Sequence, residues 1–291
     1  MLPSKPYSFW ILLAGFWAEL IYLVLRYAIR YRYETIYGNL SQAFPTKRPP
    51  EIRRLLKRYY RHLSDLCVEP FLFAVASPHL RARLACFINT ELLNQLHQAQ
   101  RPVVLLASHY GNWEYLIQLP LYCPYPVYTA YSPPRKRWVD FLLGRLRKRF
   151  GVQLIPQQSF YRQMLARTKQ PAKSALMVLI ADQRPGPASL KHQLLFLHQA
   201  TYVQLGAERL AQQLEAAVVF VDCVKVSRFC YEYRLKGVNL SPKQAEPLAL
   251  TQCYFEQLEK QIHRSPAYWL WSHDRWKTSL HPSSAGKSVK A

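Results

Sequence analysis

From Tyr7 to Ile29 the chain carries only two charged residues, Glu19 and Arg26, and an apolar run of that length has few structural options. As a helix at about 1.5 Å per residue it extends roughly 35 Å, enough to cross a bilayer. Its aliphatic and Phe side chains favour insertion by roughly 3–6 kcal/mol, against about 3 kcal/mol for a central acidic residue, so spanning is favoured only modestly. A removable signal peptide fits less well, because no small-residue cleavage site follows and the next residues are basic and aromatic. Residues 1–30 are therefore expected to form a retained membrane anchor. Only Lys5 precedes the apolar run, whereas Arg26, Arg30, Arg32, Lys47, Arg48, Arg53, Arg54, Lys57, Arg58 and Arg61 lie at its end or beyond. That bias leaves the body of the chain on the cytoplasmic side.

The rest is long enough to bury one substantial core, expected over residues 31–277. Half of all residues are hydrophobic, which excludes a disordered chain. Lys and Arg number 39 against 17 Asp and Glu, a net charge of +22 that calls for an acidic partner: nucleic acid, an anionic or phosphorylated lipid, or an acidic carrier protein. No zinc finger, helix-turn-helix or RNP-like aromatic block supports nucleic acid, and that reading leaves the apolar N-terminus unexplained. The six cysteines form no Cys-x-x-Cys pair and no metal-ligand spacing with the nine histidines, so reduced thiols and a cytoplasmic body are expected, with no metal and no cofactor.

Between Glu51 and Glu69, Ile52, Leu55, Leu56, Tyr59, Tyr60, Leu63 and Leu66 recur at helical spacing, with Arg53, Arg54, Lys57, Arg58 and Arg61 on the other face. This reads as a basic amphipathic helix that packs one stripe on the core and leaves a cationic face able to meet anionic lipid. Strands are expected at 102–108, 127–131, 175–181 and 217–226. Helices are expected around Trp113 and over 138–149, 161–168, 204–214 and 250–263. The alternation predicts an α/β fold, a sheet covered by helices. Residues 278–291, rich in Ser, Lys and Gly, are expected to be disordered.

The strongest local signal is Val103-Val104-Leu105-Leu106-Ala107-Ser108-His109-Tyr110-Gly111-Asn112-Trp113-Glu114: a buried strand that delivers a histidine and then a carboxylate into the loop at its carboxyl end, where catalytic groups gather in α/β sheets. Five residues of uninterrupted helix would rotate Glu114 about 140° from His109, and Gly111 can supply the bend that brings them together. An imidazole, which titrates near about 6.5 as a free side chain, can take a proton from an alcohol attacking a thioester, with a carboxylate on its other nitrogen stabilising the imidazolium. Ser108 lies in no Gly-x-Ser-x-Gly turn. By itself the pair is weak, since a histidine capping a strand gives the same pattern.

Four spaced blocks add context: Tyr37-Gly38-Asn39-Leu40 with Phe44-Pro45; His109 to Glu114; Ala181-Asp182-Gln183; and Pro266 with Tyr268 to Lys277. In order and separation they resemble the lipid A late acyltransferase family, of lauroyl and myristoyl acyltransferase type, from about Tyr7 to Lys277. The resemblance implies a glycerolipid-acyltransferase-like mixed sheet, an inner-membrane enzyme, acyl carrier protein as acyl donor and a hydroxyl of a phosphorylated, acylated sugar lipid as acceptor. It implies His109 as base with Glu114 as partner, and Arg162, Asp182, Gln183 and Asn112 as substrate-binding residues. Another membrane glycolipid or phospholipid remains an alternative acceptor, and a non-enzymatic basic membrane-surface or nucleic-acid-binding protein an alternative class. Two blocks depart from the better known members: Asp182-Gln183 stands where many have Asp-His-Asp, and Phe196-Leu197-His198 where Phe-x-Gly is usual. Both bear on the acceptor and the acyl length more than on the reaction.

For several residues a plainer role stands beside these. Asp182 could cap a helix near Pro185, and Arg162 could be a solvated helix residue. The basic cluster from Arg135 to Arg149 could be a solvated face or dock carrier protein or lipid phosphate. Tyr268, Trp269, Trp271 and Trp276 read as core or membrane-interface aromatics, and His273 as structural.

Overall fold

The computed structural model describes residues 9–132, 144, 149–168, 174–186, 190–238 and 242–277. Most of the expected 138–149 helix, most of the Arg135–Arg149 cluster and the whole 278–291 tail lie outside them. The strands are β1 (Ala85–Ile88), β2 (Val103–Ala107), β3 (Val127–Tyr131), β4 (Gln153–Pro156), β5 (Leu176–Ile180), β6 (His192–Phe196), β7 (Gln199–Val203), β8 (Ala217–Ser227) and β9 (Cys230–Gly237). The helices are α1 (Phe9–Leu23), α2 (Tyr33–Ala43), α3 (Pro49–Val75), α4 (Pro78–Leu84), α5 (Glu91–Gln98), α6 (Gln157–Thr168), α7 (Gly206–Leu214) and α8 (Ala249–Arg264).

Seven strands form one sheet in the order β1-β9-β8-β2-β5-β3-β4, and β6 and β7 form a separate hairpin. The sheet is mixed, as the family resemblance implies: β8 and β9 pair antiparallel, and the other pairs are parallel. β2 sits at its centre between β8 and β5, and all five of its residues are buried, which is why it reads as an unbroken apolar run rather than an alternating one. The four expected strands appear within a residue or two. β1, β4, β6, β7 and β9 add to them, most being only four or five residues long.

Helix α1 continues as a π turn through Ala28, and over Phe9–Ala28 it is long and apolar enough to cross a membrane. It packs on α3 through Ala14, Ala18 and Tyr22, one stripe at i, i+4 and i+8, while Phe16, Trp17, Leu20 and Leu23 stay exposed. Two acidic side chains of this interface find partners. The Arg228 guanidinium bonds Glu19 of α1 at 3.0 Å and Asp65 of α3 at 2.9 Å, and the buried Lys225 bonds the same Asp65 at 2.8 Å. The acidic residue that weakens α1 as a free membrane helix is thus one end of a link to the β8–β9 turn.

Helix α3 runs six residues beyond the expected end. His62, Asp65, Glu69 and Leu72 fall on its buried stripe, so the helix carries charge into the core and needs partners there. Removing one partner of a buried pair leaves the other without compensation. Asp65→Ala, which strands Lys225, is expected to lower stability by about 3–5 kcal/mol in chemical denaturation. A loss under about 1 kcal/mol would mean that Lys225 reaches solvent without the carboxylate.

Candidate active site

The register of the central strands brings the site together. β2 and β5 pair from Val103↔Leu176 to Ala107↔Ile180, and His109 and Asp182 each stand two residues past the last pair. Parallel neighbours end at the same edge of the sheet, so the two side chains meet: His109 Nδ1 lies 2.7 Å from Asp182 Oδ1, and the His109 backbone N–H donates to Asp182 Oδ2 at 2.9 Å. A third donor, Trp269 Nε1, reaches Oδ2 at 2.8 Å. Asp182 is buried, which by itself would raise its pKa, but the neighbouring His109 charge and these donors outweigh that and hold the carboxyl below its ordinary value. In the neutral imidazole an ionised Asp182 takes the ring proton on Nδ1, which leaves the lone pair on Nε2. Gln183 Nε2 donates to it at 3.0 Å.

The loop after His109 is bent at Gly111, whose φ of +64° favours glycine; a Cβ there would meet the Cys223 sulfur at 2.5 Å and the Tyr231 ring at 3.1 Å. Asn112 follows and is buried. Its Oδ1 accepts from the Glu114 N–H at 3.0 Å, its Nδ2 donates to Glu69 Oε2 at 2.6 Å, and its carbonyl accepts from the Tyr233 hydroxyl. Tyr231 donates to the other Glu69 oxygen at 2.7 Å. Along the outer side the C-terminal block zips onto the loop: Gly111 N–H donates to the Tyr268 carbonyl at 2.9 Å and Leu270 N–H to that of His109 at 3.0 Å. The same block is held by α2, where Asn39 donates to the carbonyls of Trp271 and His273 at 2.9 and 3.0 Å.

His109, Trp113, Glu114, Gln183 and Arg184 share the wall of a cavity of about 610 Å³ with apolar side chains, Leu116, Ile117, Val127, Phe160, Val178 and Leu210 among them. Its volume suits a small-molecule or chain-like ligand. Beside Arg184, His273 is held to about 4 by burial and by the nearby His109, so it is neutral, and its Nε2 accepts from the Arg184 N–H at 3.2 Å.

The expected site residues therefore separate. His109, Glu114 and Gln183 share the cavity wall. Asp182 lies just behind it and occupies the Nδ1 side of the ring, the place the sequence reading gave to Glu114. Asn112 stands behind the loop with its amide committed to Glu69 and Glu114, outside the cavity wall, and Arg162 is exposed on α6 while its neighbour Tyr161 lines the cavity. Arg184 places a cation on the cavity wall. Sequence reasoning passed over Glu69 and Arg184. The available signals were an acidic residue on the apolar stripe of a basic helix, and a cation adjoining the Asp182-Gln183 block. Among the described residues no group of His, Cys, Asp and Glu could hold a metal ion.

Residues 6–278 match the protein family described as bacterial lipid A biosynthesis acyltransferase. No curated protein matches the chain.

Glu69 gives this site a pH signature. Burial pushes its carboxyl up to about 7, against the opposing effects of Lys225 and the donors from Tyr231 and Asn112. The folded protein therefore keeps a proton that the unfolded chain releases between an ordinary value of 4.5 and about 7. Stability from that proton is complete below the window and is lost as pH rises through it. Glu69→Gln cannot ionise, so the midpoint of thermal unfolding of the variant, relative to the wild type, should rise between about pH 5 and about pH 8. A constant difference would place the titration on another group.

Proposed function

Because the chain belongs to the bacterial lipid A biosynthesis acyltransferase family, we propose that it transfers a fatty acyl chain from the thioester of acyl carrier protein to a hydroxyl of a lipid A precursor, at the cytoplasmic side of the inner membrane. One observation carries the chemistry: His109 Nδ1 lies 2.7 Å from Asp182 Oδ1 on the wall of the cavity, and in this reading the carboxylate keeps the ring proton on Nδ1 and leaves Nε2 as the base. In this reading the acceptor hydroxyl takes the position of the Gln183 amide and gives its proton to Nε2 as its oxygen attacks the thioester carbonyl. The tetrahedral intermediate collapses with cleavage of the C–S bond, and the imidazolium returns the proton to the departing thiolate. Asp182 stabilises that imidazolium. Glu114 serves as the second catalytic carboxylate from the cavity wall, held by the Asn112 side chain that caps its backbone N–H.

The remaining residues take roles that follow from where they stand. The apolar side chains of the cavity wall accept the acyl chain, and Gln183 and Arg184 bind the polar part of the acceptor or the phosphate of the donor. Asn112 and Glu69 act as positioning residues. Arg162, exposed on α6, contacts the carrier or a lipid phosphate outside the cavity. The net charge of +22 suits both an acidic carrier and an anionic lipid surface. Lipid mass spectrometry of cells with and without the protein identifies the acceptor. Loss of one acyl chain from lipid A is the expected result, and a changed phospholipid or glycolipid would reassign it.

His109→Ala should lower kcat by roughly 10²–10⁴ with the fold intact. Asp182→Asn should fall comparably: an amide presented to Nδ1 moves the ring proton to Nε2 and removes the base. Glu114→Gln should also be severely impaired. Rates are taken per folded molecule, with thermal unfolding on the same samples. A stable His109→Ala protein with undiminished turnover would end the assignment.

Transfer is direct in this reading. Ser108 and Cys223 are buried and belong to no nucleophile motif, so both substrates bind together. Incubation with acyl donor alone should leave the protein mass unchanged, and a kinetically competent covalent acyl adduct would overturn direct transfer.

A further inference from the structure

The contacts between α1 and α3 fix how the two helices lie. Trp10 and Val75 line one groove. Arg228 joins Glu19 to Asp65. The Arg61 guanidinium stands 5.3 Å from the Tyr22 ring, and that of Arg26 stands 5.6 Å from the Tyr60 ring. Each step forward along α1 is matched by a step back along α3, so the helices run antiparallel and side by side for about 24 Å at ~1.5 Å per residue.

One turn on from Asp65, α3 meets the catalytic body. Glu69 bonds Asn112 and Tyr231, so the His109 loop stands level with the middle of α1 and about one helix diameter, ~10 Å, from it. An upright α1 would carry this loop to the depth of the hydrocarbon. With it would go Glu232 and the exposed Arg234, which flank Tyr233 where that residue bonds the loop. Charged edges of a sheet are not stable there.

The outer face has the opposite character. Beyond Arg61 the exposed residues of α3 are Cys67, Phe71 and Val75, beside an α1 that exposes Phe16, Trp17, Leu20 and Leu23. Cations bound this apolar band at both ends, with Arg54, Lys57, Arg58 and Arg61 exposed at one and Arg83 exposed at the other. A band flanked by cations at both ends fits a helix pair lying flat in an interface, where both ends meet headgroups.

We propose that α1 and the C-terminal half of α3 lie together in the plane of one leaflet of an anionic phospholipid membrane. The apolar band enters the acyl-chain layer, the Arg54–Arg61 cluster rests on lipid phosphates, and α1 does not cross the bilayer. The proposal builds on the membrane association given under the proposed function and specifies its geometry. It brings the His109 loop to within a helix diameter of the lipid from which an acceptor is drawn.

The test uses full-length protein in vesicles of phosphatidylethanolamine and phosphatidylglycerol, with a protease-cleavable tag ahead of Met1 and another after Ala291. Protease added outside should cut both tags of the same molecules, because both termini are on one side. Nitroxide labels on Phe71→Cys and Val75→Cys, placed in a chain carrying Cys67→Ser and Cys86→Ser, should be relaxed by oxygen and shielded from a water-soluble nickel complex. Arg54→Glu with Arg58→Glu should weaken binding to these vesicles at least tenfold and leave binding to neutral phosphatidylcholine vesicles unchanged. Molecules cut at one tag only, water-exposed labels at 71 and 75, or equal loss on both vesicle types would each overturn the proposal. None of these readouts requires acyl transfer, so failure of the geometry and failure of the assigned reaction are told apart.

Discussion

Three donors converge on the Asp182 carboxylate: the His109 backbone, the His109 ring and the Trp269 indole. The rest of the site depends on this convergence. It joins the ends of β2 and β5 to the C-terminal block, sets which ring nitrogen of His109 holds the proton, and keeps a buried carboxylate ionised where burial alone would favour its neutral form. Each donor comes from a different part of the covalent chain or a different atom type, so the geometry is over-determined.

A second layer lies beneath the His109 loop. Glu69 and Asp65, one turn apart on α3, meet donors from Asn112, Tyr231, Lys225 and Arg228. Most of these groups are buried, and each is partnered, which is the condition under which a polar layer can persist in a core. Through Arg228 and Glu19 the layer continues into α1. The apolar N-terminal helix is therefore a structural part of the folded body and not a tether attached to it.

The spaced blocks of the sequence find one explanation in these contacts. Asn39 and Arg32 donate to backbone carbonyls between Trp271 and His273, Phe44 packs against Trp271, and that C-terminal segment in turn bonds the backbone of His109 and Gly111. Segments far apart in the chain thus build successive shells around the same loop. An aromatic such as Trp269 serves as both core and hydrogen-bond donor, which is how a residue with core-like composition comes to sit against Asp182.

The sequence by itself determined what local pattern can carry. The all-apolar run of β2, the 3.6-residue period of α3, the glycine at the bend after His109 and the apolar N-terminal helix each follow from interactions within a few residues. Most of the added strands escaped that reading because segments of four or five residues take their character from the neighbour they pair with. Tertiary structure alone decided the partner of His109. Glu114 was visible because it lies five residues away, whereas Asp182 reaches Nδ1 through a register between strands 73 positions apart in the chain. It also decided that Asn112 faces inward to Glu69, and that α1 lies along α3. Those outcomes depend on which surfaces meet once the sheet has formed, and no pattern confined to one segment records that.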